Sequence, residues 1–265
     1  PNGGPSGRGG AMYFDSGGPV ARNCLVARNM AYYGAVYMAG GELDNVTVTR
    51  NRFCVALDVY YGTIVNSIII SNDYSNYTNR NIGGILYRNC CTEPAIPGTY
   101  DGGGNILADP LFADYAGYNF RLQAGSPCVD TGTNEAWMTG ARDLDGNFRI
   151  WITNADMGAY EYGFAITNYV ATNGAAIWPY LTWANAATNI QDAVDAQQVD
   201  GLTLVRDGLY MYGGRPAVGQ TVTNRVLIDK RMTLRATSGS SNTLIVGNSD
   251  PGPNAVRCVQ IGAGV

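Results

Sequence analysis

Asparagine recurs at a nearly constant interval through the first third of the chain. The first set is spaced 22, 21 and 23 residues apart and comprises Asn23, Asn45, Asn66 and Asn89. The second set lies six residues behind the first, at intervals of 22 and 21, and comprises Asn29, Asn51 and Asn72. A period of this length is typical of one structural coil per repeat, with each coil stacked on its neighbours. It predicts an all-β parallel solenoid.

Each Asn of the first set opens a short apolar run, as in Asn45-Val-Thr-Val and Asn66-Ser-Ile-Ile-Ile. Runs of this kind, separated by Gly, Asn and Asp, are typical of short strands joined by tight corners. Stacked Asn side chains can bond amide to amide along a solenoid axis. Asn also tolerates the left-handed backbone conformation that a corner requires. Both sets are therefore predicted to be structural ladders that hold the coils together.

The charge composition excludes two classes of function. Only 14% of the residues are charged, the formal net charge is −4, and Lys230 is the single lysine. Nucleic-acid binding is not expected, because no basic stripe is available to neutralise phosphates. The chain has no histidine, so His-based acid–base catalysis and His-rich zinc sites are excluded.

The sequence predicts neither a membrane span nor a signal peptide. No apolar stretch approaches the roughly 20 residues that a membrane-spanning helix requires, and Pro1–Gly10 is rich in Gly and Pro. The six cysteines show no CxxC spacing. Cys24, Cys90 and Cys258 lie in strand-like runs and are expected to be buried in the coils. If the protein is exported, Cys128 is expected to form a disulfide with Cys91 or Cys90.

The period breaks after residue 104, and four ordered motifs follow. They are Asn-Ile-Leu-Ala-Asp-Pro-Leu-Phe (105–112), a Tyr-Asn-Phe-Arg-Leu…Cys-Val-Asp-Thr-Gly stretch (118–132), Asp-Leu-Asp-Gly-Asn-Phe-Arg (143–149) and Asp-Met-Gly-Ala-Tyr-Glu-Tyr (156–162). This succession resembles the C-terminal end of bacterial proteins of the "choice-of-anchor Q" group. The resemblance implies an exported protein with a pectate-lyase-like, right-handed parallel β-helix fold. Many members of that group are very large, and many have no known activity.

Residues 166–265 resemble the beginning of a β-helix in the same group. Trp183, Ala187, Ile190 and Val194 fall at helical spacing, so one amphipathic α-helix is predicted over 184–197. Such a helix commonly covers the open end of the apolar stack. The predicted organisation is therefore coils over 1–104, an irregular C-terminal-type cap over 105–165, and an opening cap with first coils over 166–265.

This order is reversed relative to the group, and three explanations stay open. The chain is one period of a tandem array, or a permuted unit whose end coils stack on each other, or a subunit whose last coil stacks on the first coil of the next molecule. Unpaired strand edges are avoided in soluble proteins, and open head-to-tail contacts produce filaments. We favour the array and filament explanations together.

One short motif matches the start of a calcium loop. Asp143-Leu-Asp145-Gly-Asn147 has the D-x-D-G-N pattern, but position 12, where an EF-hand has Glu, is Asn154. Ca²⁺ binding by Asp143, Asp145 and Asn147 is one interpretation, and no other cofactor is expected. A tight Asp-Gly turn whose side chains cap backbone amides is the other.

Carbohydrate cleavage is the natural enzymatic hypothesis for a β-helix, and hydrolases of this kind need clustered carboxylates. The chain has no Asp-Asp pair; Asp58, Asp73 and Asp101 are isolated, although Asp15 and Asp58 share a predicted face. Rows of Tyr, such as Tyr13, Tyr37 and Tyr60, favour either internal stacking or sugar binding. Two exposed Asp within about 5–10 Å beside Arg would favour an enzyme.

The sequence therefore predicts a non-catalytic, extracellular structural protein that assembles with itself head to tail. The alternatives are a β-helix that binds or cleaves an acidic polysaccharide, and a glycan-binding adhesin. The self-association surface is predicted at two places, one at each end of the chain. It comprises Gly9, Gly10, Ala11, Met12, Tyr13 and Phe14, and Val256, Cys258, Val259 and Ile261.

Overall fold

A computed structural model describes residues 9–31, 33–53, 55–81, 83–151, 153–163, 166–249, 252 and 254–262. The protein is mostly β, with 38% strand and 4% helix. The chain folds into two compact units, Pro1–Tyr162 and Gly163–Val265. Residues 105–162, here called the cover segment, belong to the same compact unit as the strands that precede them.

The first unit is built from short strands. They are β1 (Met12–Phe14), β2 (Val20–Ala27), β3 (Gly34–Met38), β4 (Glu42–Thr49), β5 (Val55–Val59), β6 (Gly62–Val65), β7 (Ile68–Ile70), β8 (Ser75–Asn79), β9 (Ile85–Arg88), β10 (Cys91–Thr92), β11 (Phe112–Asp114) and β12 (Asn119–Leu122). A 3-10 helix spans Ala136–Met138. Strands β11 and β12 form an antiparallel pair inside the cover segment.

Strands β1 to β10 form two parallel sheets. One sheet has the order β1-β3-β5-β8, with Tyr13 opposite Tyr37, Tyr37 opposite Asp58, and Asp58 opposite Thr78. In the other sheet, β4 pairs with β2 on one side and with β6 and β7 on the other, while β9 extends β6 and β10 extends β7. The chain thus returns to the same sheet after roughly one sequence period, because parallel neighbours require a crossover.

Both faces of the second sheet are buried, and by different partners. Val46, Val48 and Ile69 belong to a core cluster that takes residues from both sheets. Ile68 and Ile70 point to the opposite face, because side chains alternate along a strand. There they join a second cluster with side chains of the cover segment, including Phe120. Burial on both faces explains the continuous Ile68-Ile-Ile70 run.

In its described residues, the second unit has one α-helix and a further set of short strands. These are β13 (Thr167–Val170), α1 (Ile190–Ala196), β14 (Leu202–Val205), β15 (Gly208–Tyr210), β16 (Arg215–Pro216), β17 (Thr223–Ile228), β18 (Thr233–Ala236), β19 (Thr243–Ile245) and β20 (Val256–Ile261). Parallel pairs again dominate, in the orders β13-β14-β18, β15-β19 and β17-β20. Strand β16 is antiparallel to β17.

Helix α1 is shorter than the predicted 184–197. It begins after Asn189, whose side chain accepts a hydrogen bond from the Asp192 amide and so fixes the N-terminus. The preceding residues are not helical because Ala187 bridges to Val170 of strand β13. The helical spacing of Trp183 and Ala187 in the sequence therefore does not reflect a helix at these residues. Among the described residues, no helix is long and apolar enough to cross a membrane.

Candidate functional site

The second Asn set forms a continuous chain of amide hydrogen bonds. The Asn51 side-chain oxygen accepts from the backbone N and the Nδ2 of Asn29, both at 3.0 Å. Asn72 accepts from Asn51 in the same way, at 3.0 and 2.9 Å. Asn76 accepts from Asn72 at 3.0 and 2.8 Å, which extends the chain one step beyond the predicted set. Asn76 breaks the sequence period because it follows Asn72 by only four residues.

The first Asn set makes different contacts from those expected. All four members have the left-handed backbone conformation, with φ between 47° and 53°. Only one direct amide pair joins them, from Asn66 Nδ2 to Asn45 Oδ1 at 3.3 Å. Their amides instead donate to carbonyl oxygens of the cover segment: Asn23 to Arg142, Asn45 to Asp156, Asn66 to Thr133, and Asn89 to Thr131, at 2.8–3.0 Å. This set fastens the cover segment to the coils.

The D-x-D-G-N motif forms a tight turn. The Asp143 carboxylate accepts from the backbone amides of Asp145 and Asn147, at 2.9 and 2.8 Å, and from the amide of Glu161 at 2.7 Å. The Asp145 carboxylate is held by the guanidinium of Arg121 at 2.5 Å. These contacts are the ones that the turn interpretation describes. Across the described ranges, no group of three or more acidic or Cys side chains is arranged to hold a metal ion.

The last two motifs of the cover segment meet at a buried ion pair. Arg149 is fully buried, and its Nη2 lies 2.9 Å from Oε1 of Glu161. The same nitrogen donates to the carbonyls of Asp156 and Gly158, both at 3.1 Å. Gly158 packs so closely on the coils that a Cβ there would lie 2.8 Å from the Thr47 hydroxyl and 2.7 Å from Ile68. Burial raises the pKa of Glu161 well above its usual value, and the positive charge of Arg149 opposes that shift.

A second group of carboxylates lies between strand β4 and the cover segment. Asp44 is 1% exposed, and the indole N–H of Trp137 donates to its Oδ2. Arg22 lies 3.9 Å from Asp44 and 3.5 Å from Glu42. Glu135 lies 3.4 Å from Arg88 and adds negative charge near Asp44. The sequence did not predict this group, since residues 42–44 and 135–137 carry no shared motif.

Burial raises the pKa of Asp44 to about 6, and the hydrogen bond from Trp137 opposes the shift. Because the carboxyl is shielded from solvent, its neutral form is favoured in the folded protein. A raised pKa is one property of a general acid in carbohydrate cleavage. The burial of Asp44 argues against that role, because a substrate must reach the acid. Of the Asp residues considered from the sequence, Asp58 is also 1% exposed and is paired with Arg80 at 2.6 Å.

We predict that the first unit is more stable at pH 5 than at pH 7.5. Asp44 and Asp156 both have a folded-state pKa of about 6, raised by burial from an ordinary 3.8. The stability that these two carboxyls contribute to the folded state is fully present below about pH 4 and is lost as the pH rises through about 6. The gain at pH 5 is roughly 1 kcal/mol for each carboxyl. Urea denaturation at the two pH values measures it, and Asp44→Asn, which mimics the neutral form, should reduce the difference by about 1 kcal/mol.

The cysteine predictions are corrected by the structure. Cys91 and Cys128 are free thiols rather than a disulfide, although their side chains are hydrogen bonded to each other. Cys90 is buried as expected, and burial raises its pKa to about 12. Cys24 is half-buried and Cys258 is exposed, because β20 has a neighbouring strand on only one side among the described residues. Cys54 lies outside the described residues.

The predicted self-association residues occupy two strand edges. Gly9, Gly10 and Ala11 precede β1, and the amides of Gly10 and Ala11 donate to the carbonyls of Gly34 and Ala35 at 2.8 Å. Strand β1 pairs with β3, and β20 pairs with β17; within the described ranges neither has a second neighbouring strand, although Val256 at the start of β20 forms an antiparallel bridge with Asn248. Tyr13 stacks on Tyr37, with ring centroids 5.0 Å apart. Both edges therefore keep unpaired backbone groups, which can accept another strand.

No family model, curated protein or solved structure matches this chain. The resemblance to the "choice-of-anchor Q" group thus rests on the sequence alone, on the four motifs of the cover segment and on residues 166–265.

Proposed function

We propose that the protein is a non-catalytic structural protein in which both units are turns of a right-handed parallel β-helix, and that copies assemble head to tail. The repeated parallel registers and the Asn51 ladder support the winding. The handedness and the placement outside the cell or on its surface rest on the resemblance. The proposal of head-to-tail assembly rests on the edges of strands β1 and β20.

The observation that carries the proposal is a contrast in exposure between two paired strands. Val259 and Ile261 of β20 lie opposite Val226 and Ile228 of β17. Val226 is 0% and Ile228 is 8% exposed, whereas Val259 is 42% and Ile261 is 65% exposed. Equivalent apolar positions are thus buried on one strand and open on the next. Another strand laid on β20 would bury both side chains, each worth up to roughly 1.5–3 kcal/mol.

The edge of β17 that faces away from β20 is already covered, so a further strand can be added to this sheet at the β20 edge. Gln191 of helix α1 accepts from the Leu227 amide at 2.7 Å and donates to the Leu227 carbonyl at 3.2 Å. Strand β16 pairs with the start of β17. Because β20 has no second neighbouring strand among the described residues, growth by stacking would proceed from that side. The free edge of β1 on a second copy is the parallel partner that we propose for it.

We expect the purified chain to sediment as larger species as its concentration rises. The double substitution Val259→Asp/Ile261→Asp should abolish this growth, because it places two charges on the edge that must be buried. Analytical ultracentrifugation over a hundredfold concentration range, with electron microscopy of the most concentrated sample, measures it. Val218→Asp is the matched control: Val218 is fully exposed between β16 and β17 and should not affect growth.

Two results would reject assembly through this edge. One is a single wild-type species at every concentration. The other is a double variant that grows like the wild type while its circular dichroism spectrum stays unchanged.

A protein that binds or cleaves an acidic polysaccharide is the second candidate. The grouping of Asp44, Glu42 and Glu135 beside Arg22 and Arg88 favours it, since paired carboxylates carry glycoside hydrolysis. The burial of Asp44 favours the scaffold instead. Cleavage of a uronic-acid polymer by the wild type, lost in Asp44→Asn, would decide for the enzyme.

A further inference from the structure

Three successive coils place a residue at the same corner position, directly before each Asn of the second set. These residues are Arg28, Arg50 and Ser71, and all have the left-handed conformation, with φ of 62°, 54° and 56°. The first two coils thus carry an arginine where the third carries a serine. Since Arg28 and Arg50 adopt this conformation, the corner accepts a long side chain.

The two arginines alternate with tyrosine rings of the cover segment. The Arg28 guanidinium lies 4.3 Å from the ring centre of Tyr118. The Arg50 guanidinium lies 4.5 Å from Tyr118 and 4.7 Å from Tyr115. Arg50 Nη1 also donates to the Tyr115 carbonyl at 2.7 Å. The order is therefore arginine, tyrosine, arginine, tyrosine, held by cation–π contacts.

The row stops at Ser71, and a cleft opens there. The Tyr115 hydroxyl lies 3.3 Å from the Ser71 carbonyl, so the last ring of the row reaches the third coil. The cleft has a volume of about 660 Å³, and Ser71, Tyr115 and Phe112 contribute to its wall. The rings of Tyr115 and Phe112 are parallel within 8°. A space thus lies where a third arginine would continue the row.

The charges of this cleft are acidic. Among the described residues, its wall includes Glu93 and Asp109 and no basic side chain. The Glu93 side chain is exposed, and one oxygen of Asp109 accepts from the Leu111 amide at 2.9 Å. An anionic ligand would be repelled here. A guanidinium can stack on Tyr115 and pair with a carboxylate at the same time.

We infer that the cleft binds an arginine side chain presented by a partner polypeptide, which completes the interrupted row. The aliphatic stem of the arginine packs on the apolar wall, and the guanidinium takes the place that Ser71 leaves unfilled. This site is separate from the strand edges of the proposed assembly. Failure of either proposal therefore leaves the other intact.

The test uses N-acetyl-arginine amide as the probe, titrated into the full chain and followed by NMR chemical shifts. Citrulline amide, acetylated in the same way, is the neutral isostere of the probe. We expect arginine to bind about tenfold more tightly than citrulline, a ratio that corresponds to one desolvated cation–π and carboxylate contact. Ser71→Arg should fill the row from within the chain and abolish binding. Glu93→Gln should weaken binding without affecting the fold.

The charge-matched control is Asp15→Asn, which removes an exposed carboxylate from a different corner and should leave affinity unchanged. Equal binding of arginine and citrulline would overturn the inference, and so would wild-type affinity in Glu93→Gln. Binding in a folded Ser71→Arg variant would place the ligand elsewhere. Tight binding of a galacturonate oligomer at this cleft would also overturn the inference, because it would show that the cleft takes an anionic ligand.

Discussion

Replacing Arg149 with methionine should lower the free energy of unfolding of the first unit by about 3–5 kcal/mol, which is the usual cost of removing one partner of a buried ion pair. Arg149 is fully buried, and it is the cation 2.9 Å from the buried Glu161 carboxylate. Without it, Glu161 and the nearby Asp156 remain in a shielded site with no positive charge. The carbonyls of Asp156 and Gly158 also lose one of their two donors and keep only the Asn45 amide. Urea denaturation measures the loss, and hydrogen exchange in β4 assigns it to the first unit.

Arg121→Met is the matched control. Arg121 makes a salt bridge in the same segment, with Asp145, but its side chain is 47% exposed. We expect a loss of less than about 1 kcal/mol, because exposed ion pairs contribute little. The double variant Arg149→Met/Glu161→Gln should recover part of the Arg149→Met loss, since it also removes the unpaired charge. Equal losses for Arg149→Met and Arg121→Met would show that the buried pair is not important for stability.

The repeat was visible in the sequence because the same parallel strand pairing recurs at each repeat. One Asn every 21 or 22 residues predicts parallel neighbours at that separation, and the pairing of β2 with β4 and of β4 with β7 follows it. The coarse result, a mostly β chain with parallel sheets, was therefore predictable. Asn76 was missed because the third coil is short and the ladder continues after four residues.

The role of the first Asn set was not predictable from the period. Its carbonyl partners lie between 42 and 119 residues away in the chain. Local sequence contains no signal for such contacts, because they depend on how the cover segment folds back onto the coils. The same limit applies to Asp44 and Trp137, which lie 93 residues apart. For helix α1, local spacing gave too early a start, since bridging of Ala187 to β13 prevails over helix formation.

The two Asn sets show that one residue type performs two tasks in this fold. A left-handed corner needs a residue that tolerates positive φ, and the first set provides it. The second set lies one residue after such a corner and uses its side chain to join coils. Position relative to the corner, rather than residue identity, decides whether the amide faces the cover segment or the next coil.

Asn51 is the fully buried member of the second set, whereas Asn29 and Asn72 are half-buried. Its Nδ2 donates to the carbonyls of Val26 and Thr49, at 3.0 and 3.2 Å, and to Asn72 at 2.9 Å. Its Oδ1 accepts two bonds from Asn29. The side chain is fully buried, so water cannot replace these partners when it is removed.

Asn51→Ala should therefore lower the free energy of unfolding by about 3–5 kcal/mol, because each buried group left without a partner costs about 1–3 kcal/mol. Asn29→Ala is the internal comparison, since Asn29 begins the described ladder, is only half-buried and donates to one acceptor of the next coil. We expect a loss of about 1 kcal/mol there. Urea denaturation of both variants, with hydrogen exchange at β4 and β7, measures the difference. Similar losses at the two positions would mean that the ladder acts as separate local bonds, whereas a much larger loss at Asn51 means that its buried centre holds the coils together.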